Sequence, residues 1–209
     1  MALNEKQQQI LNVAEALFAS KGFIGTSVRD IAAAAQVNVA MISYYFGSKE
    51  KLLQRLLLNR TEQSRALLND LKQDEHLDPW EKINRIIDFY VDQLLNNRRF
   101  HTIMSRQMSM MQDEEVIKML VDMKRSNLSL IQQIIREGQR KKVFRKVDIA
   151  LTVGSVIGTI SQVSMSKPFY EQLLHMDGQD EEKYFEKIRP KLKAHLRSLM
   201  HNHLACKDQ

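Results

Sequence analysis

Apolar residues recur three and four positions apart along almost the whole chain and strand-type alternation is absent, so the sequence predicts an all-α protein. A first helix, from about Asn4 to Lys21, carries Ile10, Leu11, Ala14, Leu17 and Phe18 on one stripe, with Gly22 placed to end it in a left-handed conformation. Ser27 opens a second, because Ser-x-x-Asp to Asp30 is a capping-box variant, and Ile31, Ala32 and Ala35 face inward. Gln36-Val37 makes the turn, Asn38 caps a third helix that runs to about Phe46, and Ser48 caps a fourth that continues to about Leu71. After the charged linker QDEHLD, Pro79 suits the first turn of a fifth helix, WEKINRIIDFYVDQLLNN. A sixth is expected over about Arg99 to Met111, a seventh over about Glu114 to Arg140, and an eighth, after KKVF, over about Val147 to Met165. Pro168 and the HMDGQD loop precede the last, about Glu181 to His203, in which Pro190 should cause a kink or a break.

The change of character near residue 48 predicts a compact three-helix head, residues 1–48, and a larger helical body, residues 49–209. Two short helices joined by a tight turn and braced by a preceding helix form a helix-turn-helix, which presents its second helix to the DNA major groove. With Ile31, Val37, Ile42 and Phe46 packed on Leu17 and Phe18, the outer face keeps Val39, Ala40, Ser43 and Tyr44, with Met41 beside them. Such a face reads bases through contact with thymine methyls, the Ser43 hydroxyl and the Tyr44 ring and hydroxyl, with Arg29 able to fork onto guanine. Ser27, Tyr45 and Lys49 are the expected phosphate contacts. Each has a plainer alternative: Tyr45 as core, Lys49 as a solvated first-turn lysine, Arg29 paired with a neighbouring carboxylate.

The stretch ILNVAEALFASKGFIGTSVRDIAAAAQVNVAMISYYFGSKEKL follows the pattern I-L-x-x-A-x-x-L-F-x-x-x-G, then T-S/T-x-x-x-I-A, then a capped recognition helix, then Y/H-F-x-S-K-E-x-L. In this it resembles the TetR family of bacterial transcription regulators. The resemblance implies a subunit of about nine helices, a C-terminal ligand-binding and dimerisation domain, and repression relieved by a small molecule. Three positions depart from the pattern: Gln36 stands where glycine is common at the turn, Ala40 replaces a common glycine, and Ser43 replaces the usual tyrosine. Those last two changes remove any basis for borrowing an operator sequence from relatives.

A helix-turn-helix that reads palindromic DNA as a dimer needs its two heads held roughly 35 Å apart. Gly154 and Gly158, four apart on an apolar helix with Ile157, Ser161 and Met165, would let a partner helix approach closely, and Leu192, Leu196 and Leu199 give the last helix a matching edge. The alternative is that the glycines admit a helix of the same subunit. By resemblance these two helices form a four-helix interface across a twofold axis. For an effector of apolar or amphipathic character, the expected walls are Phe89, Tyr90, His101, Met104, Gln107, Met108, Met111 and Met123, although a methionine stripe is more often ordinary core than pocket.

Composition narrows the classes further. The net charge of +6 suits a polyanionic partner such as double-stranded DNA. Residues 1–55 are only mildly basic: Lys6, Lys21, Arg29, Lys49, Lys51 and Arg55 stand against Glu5, Glu15, Asp30 and Glu50. No G-x-S-x-G, G-x-G-x-x-G, Walker loop, C-x-x-C or H-E-x-x-H occurs, so an enzyme has no local support and no cofactor is expected. His195, His201 and His203 lack the spacing and companions of a metal site. The single cysteine, Cys206, gives no sign of an oxidising compartment. MALNEKQQQ holds no apolar leader core, and the most apolar stretch, Ile149 to Val163, is shorter than the roughly 20 residues a span needs. The expectation is a cytoplasmic protein without a membrane partner. A helical interaction protein that keeps the head but no longer reads DNA is the alternative function.

Overall fold

The computed structural model describes residues 3–98, 101, 114–176, 178 and 180–206. Its helices are α1 (Glu5–Lys21), α2 (Val28–Ala34), α3 (Val39–Phe46), α4 (Lys49–Gln73), α5 (Pro79–Asn96), α6 (Glu114–Arg140), α7 (Ile149–Met165), α8 (Lys167–Leu173) and α9 (Glu181–Leu204). The helix expected over Arg99–Met111 lies outside the described residues, His101 apart. The chain divides into two compact units, residues 1–65 with 99–125 and residues 66–98 with 126–209.

In the first unit, the caps set the helix boundaries. Asn4, Ser27 and Asn38 each accept a bond from a backbone N–H one turn into the helix they open, and Asn4 and Ser27 complete capping boxes with Gln7 and Asp30. The apolar stripes of α1, α2 and α3 meet at Ile10, Leu11, Ala14, Phe18, Ile31, Ala32, Ala35, Ile42 and Phe46. Leu52, Leu53, Leu56 and Leu57 of α4 complete this core. The first compact unit thus extends past residue 48 into α4, as far as residue 65. Gln36 sits at φ 51° in the turn, a conformation that costs a non-glycine residue about 1 kcal/mol.

The second unit is built on α5, which packs against α7 and α9. Its core takes Ile83, Ile86, Ile87, Val91, Leu94 and Leu95 from α5, Ile131, Ile134 and Ile135 from α6, and Val156, Ile160 and Val163 from α7. From α9 come Tyr184, Phe185, Ile188, Leu192, Leu196 and Met200. Leu192 and Leu196, expected on a dimer edge, are thus corrected to core: the three-and-four spacing that carries Ile188 inward carries them with it, and Leu196 is 0% exposed. Leu199, one step round the helix, is exposed. Beside the apolar seam runs a ladder of charges. Asp92 accepts from Arg189 at 2.7 Å and Lys193 at 2.7 Å, Asp88 pairs with Arg197, Asn96 accepts from Arg189 and Glu181 from Arg98. Lys82, 1% exposed, bonds Glu137 of α6 at 3.0 Å.

Three local features differ from the sequence reading. Pro190 does not break α9, which passes through it, and the residue lies on the solvent side, where water can satisfy the carbonyl that loses its partner. Ser166 and Pro168 start a further short helix, α8, that was not foreseen. The connection after α6 folds back on the end of α9: Phe144 pairs with Ala205 in an isolated antiparallel bridge, and Arg145 bonds the carbonyls of His203 and Leu204. The Phe144 ring fills the space a side chain at Gly138 would need, since a Cβ there would come within 2.2 Å of it.

Burial of Asp92 raises its pKa, but the bonds from Lys193 and Arg189 outweigh that and hold the carboxyl below its usual range. A depressed folded value means that the ladder contributes stability above the unfolded value, about 4, and loses it as pH falls through the folded value. Asp92→Asn is therefore expected to lower stability at neutral pH and to flatten the acid limb of the stability profile below about pH 4. Chemical denaturation across pH tests this, and an unchanged acid limb in Asp92→Asn would refute it.

Candidate nucleic-acid interface

α3 is seated in the head by its last-turn and middle side chains. Ile42 and Phe46 are buried, Met41 and Tyr45 half-buried, and Val39, Ala40, Ser43 and Tyr44 turned to solvent, Tyr44 to 84%. Gly47, at φ 82°, closes the helix and donates to the Ser43 carbonyl, which frees the chain to turn directly into α4. The Tyr44 and Tyr45 rings meet edge to face at 5.3 Å, so the exposed ring is braced by its half-buried neighbour. The result is a convex helix face with one hydroxyl, one phenol and small apolar groups, a surface that can make close contact with base edges and methyls. Arg29 is exposed on α2.

Two residues expected at phosphates have their polar groups engaged within the head. The Ser27 hydroxyl donates to Asp30 Oδ2 at 2.7 Å and accepts from the Asp30 N–H at 3.1 Å. The Ser27 hydroxyl, the Ser27 N–H and nearby Lys21 together hold the Asp30 carboxyl below its usual range. Lys49 is half-buried, with its cation engaged inside the head. Its Nζ donates to the carbonyls of Phe23 at 2.9 Å and Thr26 at 3.0 Å and lies 4.2 Å from the Phe23 ring centroid. The first turn of α4 is thereby clasped to the α1–α2 connection, a role the sequence hid because both acceptors are backbone atoms 26 and 23 residues away.

The body residues singled out in the sequence divide. Phe89 and Tyr90 are half-buried on α5, with Tyr90 against the second unit's core. Met123 packs instead on the head core, in the first unit. His101 is half-buried, while Met104, Gln107, Met108 and Met111 lie outside the described residues. On α7, Gly154 and Gly158 meet nothing within 4 Å where a side chain would stand, so no described helix of the same chain fills that face. Leu151, 71% exposed, and Met165 continue it, whereas Ile157 and Ser161 are half-buried. Among the described residues no group of three or more histidine, cysteine or carboxylate side chains could hold a metal. His201 stacks on Trp80 at 4.6 Å and His203 lies 3.0 Å from the Thr152 hydroxyl, so both have packing roles.

A three-helix head that exposes the second helix of a helix-turn-helix, followed by a separate helical unit, is the architecture of a DNA-binding transcriptional regulator. Residues 10–56 match the family described as bacterial regulatory proteins, tetR family, and residues 76–165 match the tetracyclin repressor-like C-terminal domain. The chain is 27% identical over 186 residues, 87% of each chain, to YttP of Bacillus subtilis (strain 168), a probable HTH-type transcriptional regulator. It is 30% identical over 158 residues to the HTH-type transcriptional repressor NicS of Pseudomonas putida, covering 70% of this chain and 68% of NicS. The fold is that of the TetR family regulator PfmR from Thermus thermophilus, with a TM-score of 0.70 over 99% of this chain and 100% of PfmR at 22% identity. The chain belongs to the TetR family of transcriptional regulators. Among the described residues no single helix is long and apolar enough to cross a membrane.

The Lys49 clasp separates stability from recognition. Lys49→Ala leaves two carbonyls without their cation and is expected to lower stability by about 1 kcal/mol. Tyr44→Ala removes an exposed ring and is expected to stay within about 0.5 kcal/mol of the parent. Thermal unfolding of both variants decides it: a Lys49→Ala protein as stable as the parent would remove the clasp from the account.

Proposed function

We propose that the protein represses transcription in the bacterial cytoplasm by binding a palindromic operator as a homodimer, and that a small-molecule effector releases it. The observation that carries the reading is the seating of α3, which buries Ile42 and Phe46 and turns Ala40, Ser43 and Tyr44 outward from a closed core. In this reading Val39 and Ala40 meet thymine methyls, Ser43 and Tyr44 read base edges, and Arg29 forks onto guanine. Tyr45 reaches phosphate from the half-buried side, and Met41 borders the base-reading face. Ser27 and Lys49 act one step removed, by fixing the start of α2 and of α4. No catalytic role is assigned to any residue.

The twofold contact is assigned to the open face of α7, with Leu151, Gly154, Gly158 and Met165, joined by Leu199 of α9. Ile157 and Ser161 flank it. The effector, apolar or amphipathic, enters the C-terminal domain near Phe89 and Tyr90. Because α4 is one unbroken helix from Lys49 to Gln73, a shift of that helix on effector binding alters head separation and lowers operator affinity.

Selection of DNA from a random pool by the purified protein at near-physiological salt tests the reading. A palindrome is expected; a folded dimer that enriches no sequence would overturn operator reading and favour a protein-interaction role. Leu151→Glu with Gly158→Glu is expected to give a folded monomer, because neither position carries weight within the chain, and to cut operator affinity at least a hundredfold. Sedimentation and DNA titration measure both, and a double variant that stays dimeric removes this face from the interface.

A further inference from the structure

The positive charge of the chain is gathered in one place, and that place is not the head. Residues 136–146, REGQRKKVFRK, hold six cations, Arg136, Arg140, Lys141, Lys142, Arg145 and Lys146, against one carboxylate, Glu137, and so account for five of the six net charges. All six cations are exposed. Glu137 is taken up within the fold: its two oxygens accept from the buried Lys82 at 3.0 Å and from Lys141 at 2.7 Å. The next carboxylate along the chain, Asp148, caps α7. Among the described residues no carboxylate pairs with Arg136, Arg140, Lys142 or Lys146.

The segment that carries these cations is fixed by the core. α6 ends in a turn in which the Val143 N–H donates to the Gly138 carbonyl and the Lys142 N–H to that of Gln139. Phe144 is buried against Gly138, and Arg145 is tied to the end of α9 through the carbonyls of His203 and Leu204. Arg136 and Arg140, four apart, share one face of α6 as it reaches the turn. Lys142 stands in that turn at φ 58°, the left-handed position after a helix where glycine is usual. A lysine there costs stability that glycine would not, and what its side chain adds is a charge. Attraction to carbonyls at helix C-termini accounts for Lys141 on α6 and for Arg145 on α9. It falls off within the last turn, so it explains neither Arg136, which precedes that turn, nor Lys146, which lies beyond it.

We propose that residues 136–146 form a second nucleic-acid contact, one that holds the phosphate backbone of double-stranded DNA without reading its sequence. Duplex DNA carries one negative charge per about 1.7 Å of axis, and each cation that meets a phosphate adds affinity by releasing counterions. The stretch exposes no large apolar side chain, since Val143 is half-buried and Phe144 buried, so it offers a lipid bilayer nothing to insert. The head, with six cations against four carboxylates in residues 1–55, has less to give to phosphate. Base reading and non-specific hold are thereby divided between the two units. The proposal goes beyond operator reading and does not depend on it, because a head that had lost sequence recognition would leave this contact in place.

The test uses the full chain and a labelled duplex of random sequence, with affinity measured by fluorescence anisotropy over a series of salt concentrations. A quadruple variant, Arg136→Gln, Arg140→Gln, Lys142→Gly and Lys146→Gln, leaves Lys141 and Arg145 to their bonds within the fold. It is expected to bind the duplex at least about tenfold more weakly than the parent at near-physiological salt, with the slope of log affinity against log salt smaller by about 0.9 for each phosphate no longer met. A control, Lys72→Gln, Arg85→Gln, Lys187→Gln and Lys191→Gln, removes the same charge from exposed positions elsewhere in the second unit and is expected to stay within about twofold of the parent. Lys142→Gly alone is expected to raise the melting temperature while weakening duplex binding, whereas a lysine with a purely structural role would lower the one and leave the other unmoved. Equal binding by the parent and the quadruple variant overturns the proposal, as does an equal loss in the quadruple variant and the control. Anionic phospholipid vesicles that capture the parent but not the quadruple variant, with duplex binding unmoved, would overturn it in favour of a lipid surface. Sequence selection is scored separately: if the parent enriches no sequence, operator reading fails, while loss of random-duplex binding in the quadruple variant still upholds this contact.

Discussion

Everything the head presents depends on how α3 is held, and only two of its side chains, Ile42 and Phe46, hold it deeply. Each contributes about 2–3 kcal/mol of apolar burial, and together they fix which part of this short helix faces solvent. A helix of two turns has no stability of its own, so its orientation comes entirely from the core it closes. Turns with positive φ at Gln36 and Gly47 make this possible, because they let the chain enter and leave α3 without using any of its residues for the connection. Lys49 then ties the next helix to the loop before α2, so three connections converge on one compact core.

The second unit solves a different problem with a similar economy. α5 and α9 run antiparallel, and the polar partners along their seam repeat at four-residue intervals: the acceptors Asp88, Asp92 and Asn96 on one, the cations Arg189, Lys193 and Arg197 on the other. Such a ladder adds little at each exposed rung. It does fix the register, because sliding one helix by a turn would leave a carboxylate or a cation unmatched at each end.

Helix boundaries were legible because they are local chemistry: Asn4, Ser27, Asn38 and Asp78 each announce a helix within four residues. The helix-turn-helix was legible because its apolar anchors come in a fixed order. What the sequence concealed is nonlocal. Leu192 and Leu196 look the same on paper whether they face a partner or their own core, and only the position of Ile188 and Met200 on the same stripe separates the cases. The charge ladder was present as two four-residue repeats about a hundred residues apart, a signal that acquires meaning only when α5 and α9 are known to be neighbours. Lys49 concealed its role because backbone acceptors leave no trace in a pattern of side chains.

The electrostatics of the head bear on how regulation works. Lys21 faces Asp30, Lys49 is engaged by two carbonyls, and with six cations against four carboxylates in residues 1–55 the head carries little net positive charge for phosphate. A head that neutralises few phosphates binds non-specific DNA weakly and with a shallow dependence on salt. Its contact with bases, through small groups and two hydroxyls, is shape-dependent and short-ranged. Each head alone is then a weak reader, and operator affinity in a dimer comes from the second head being delivered at the right separation, where the effective concentration is high. That contribution collapses when the separation changes by a few ångströms, whereas a strongly basic head would stay bound in the wrong register. In the proposed mechanism, a weakly charged head is what makes a small shift of α4 sufficient to release DNA.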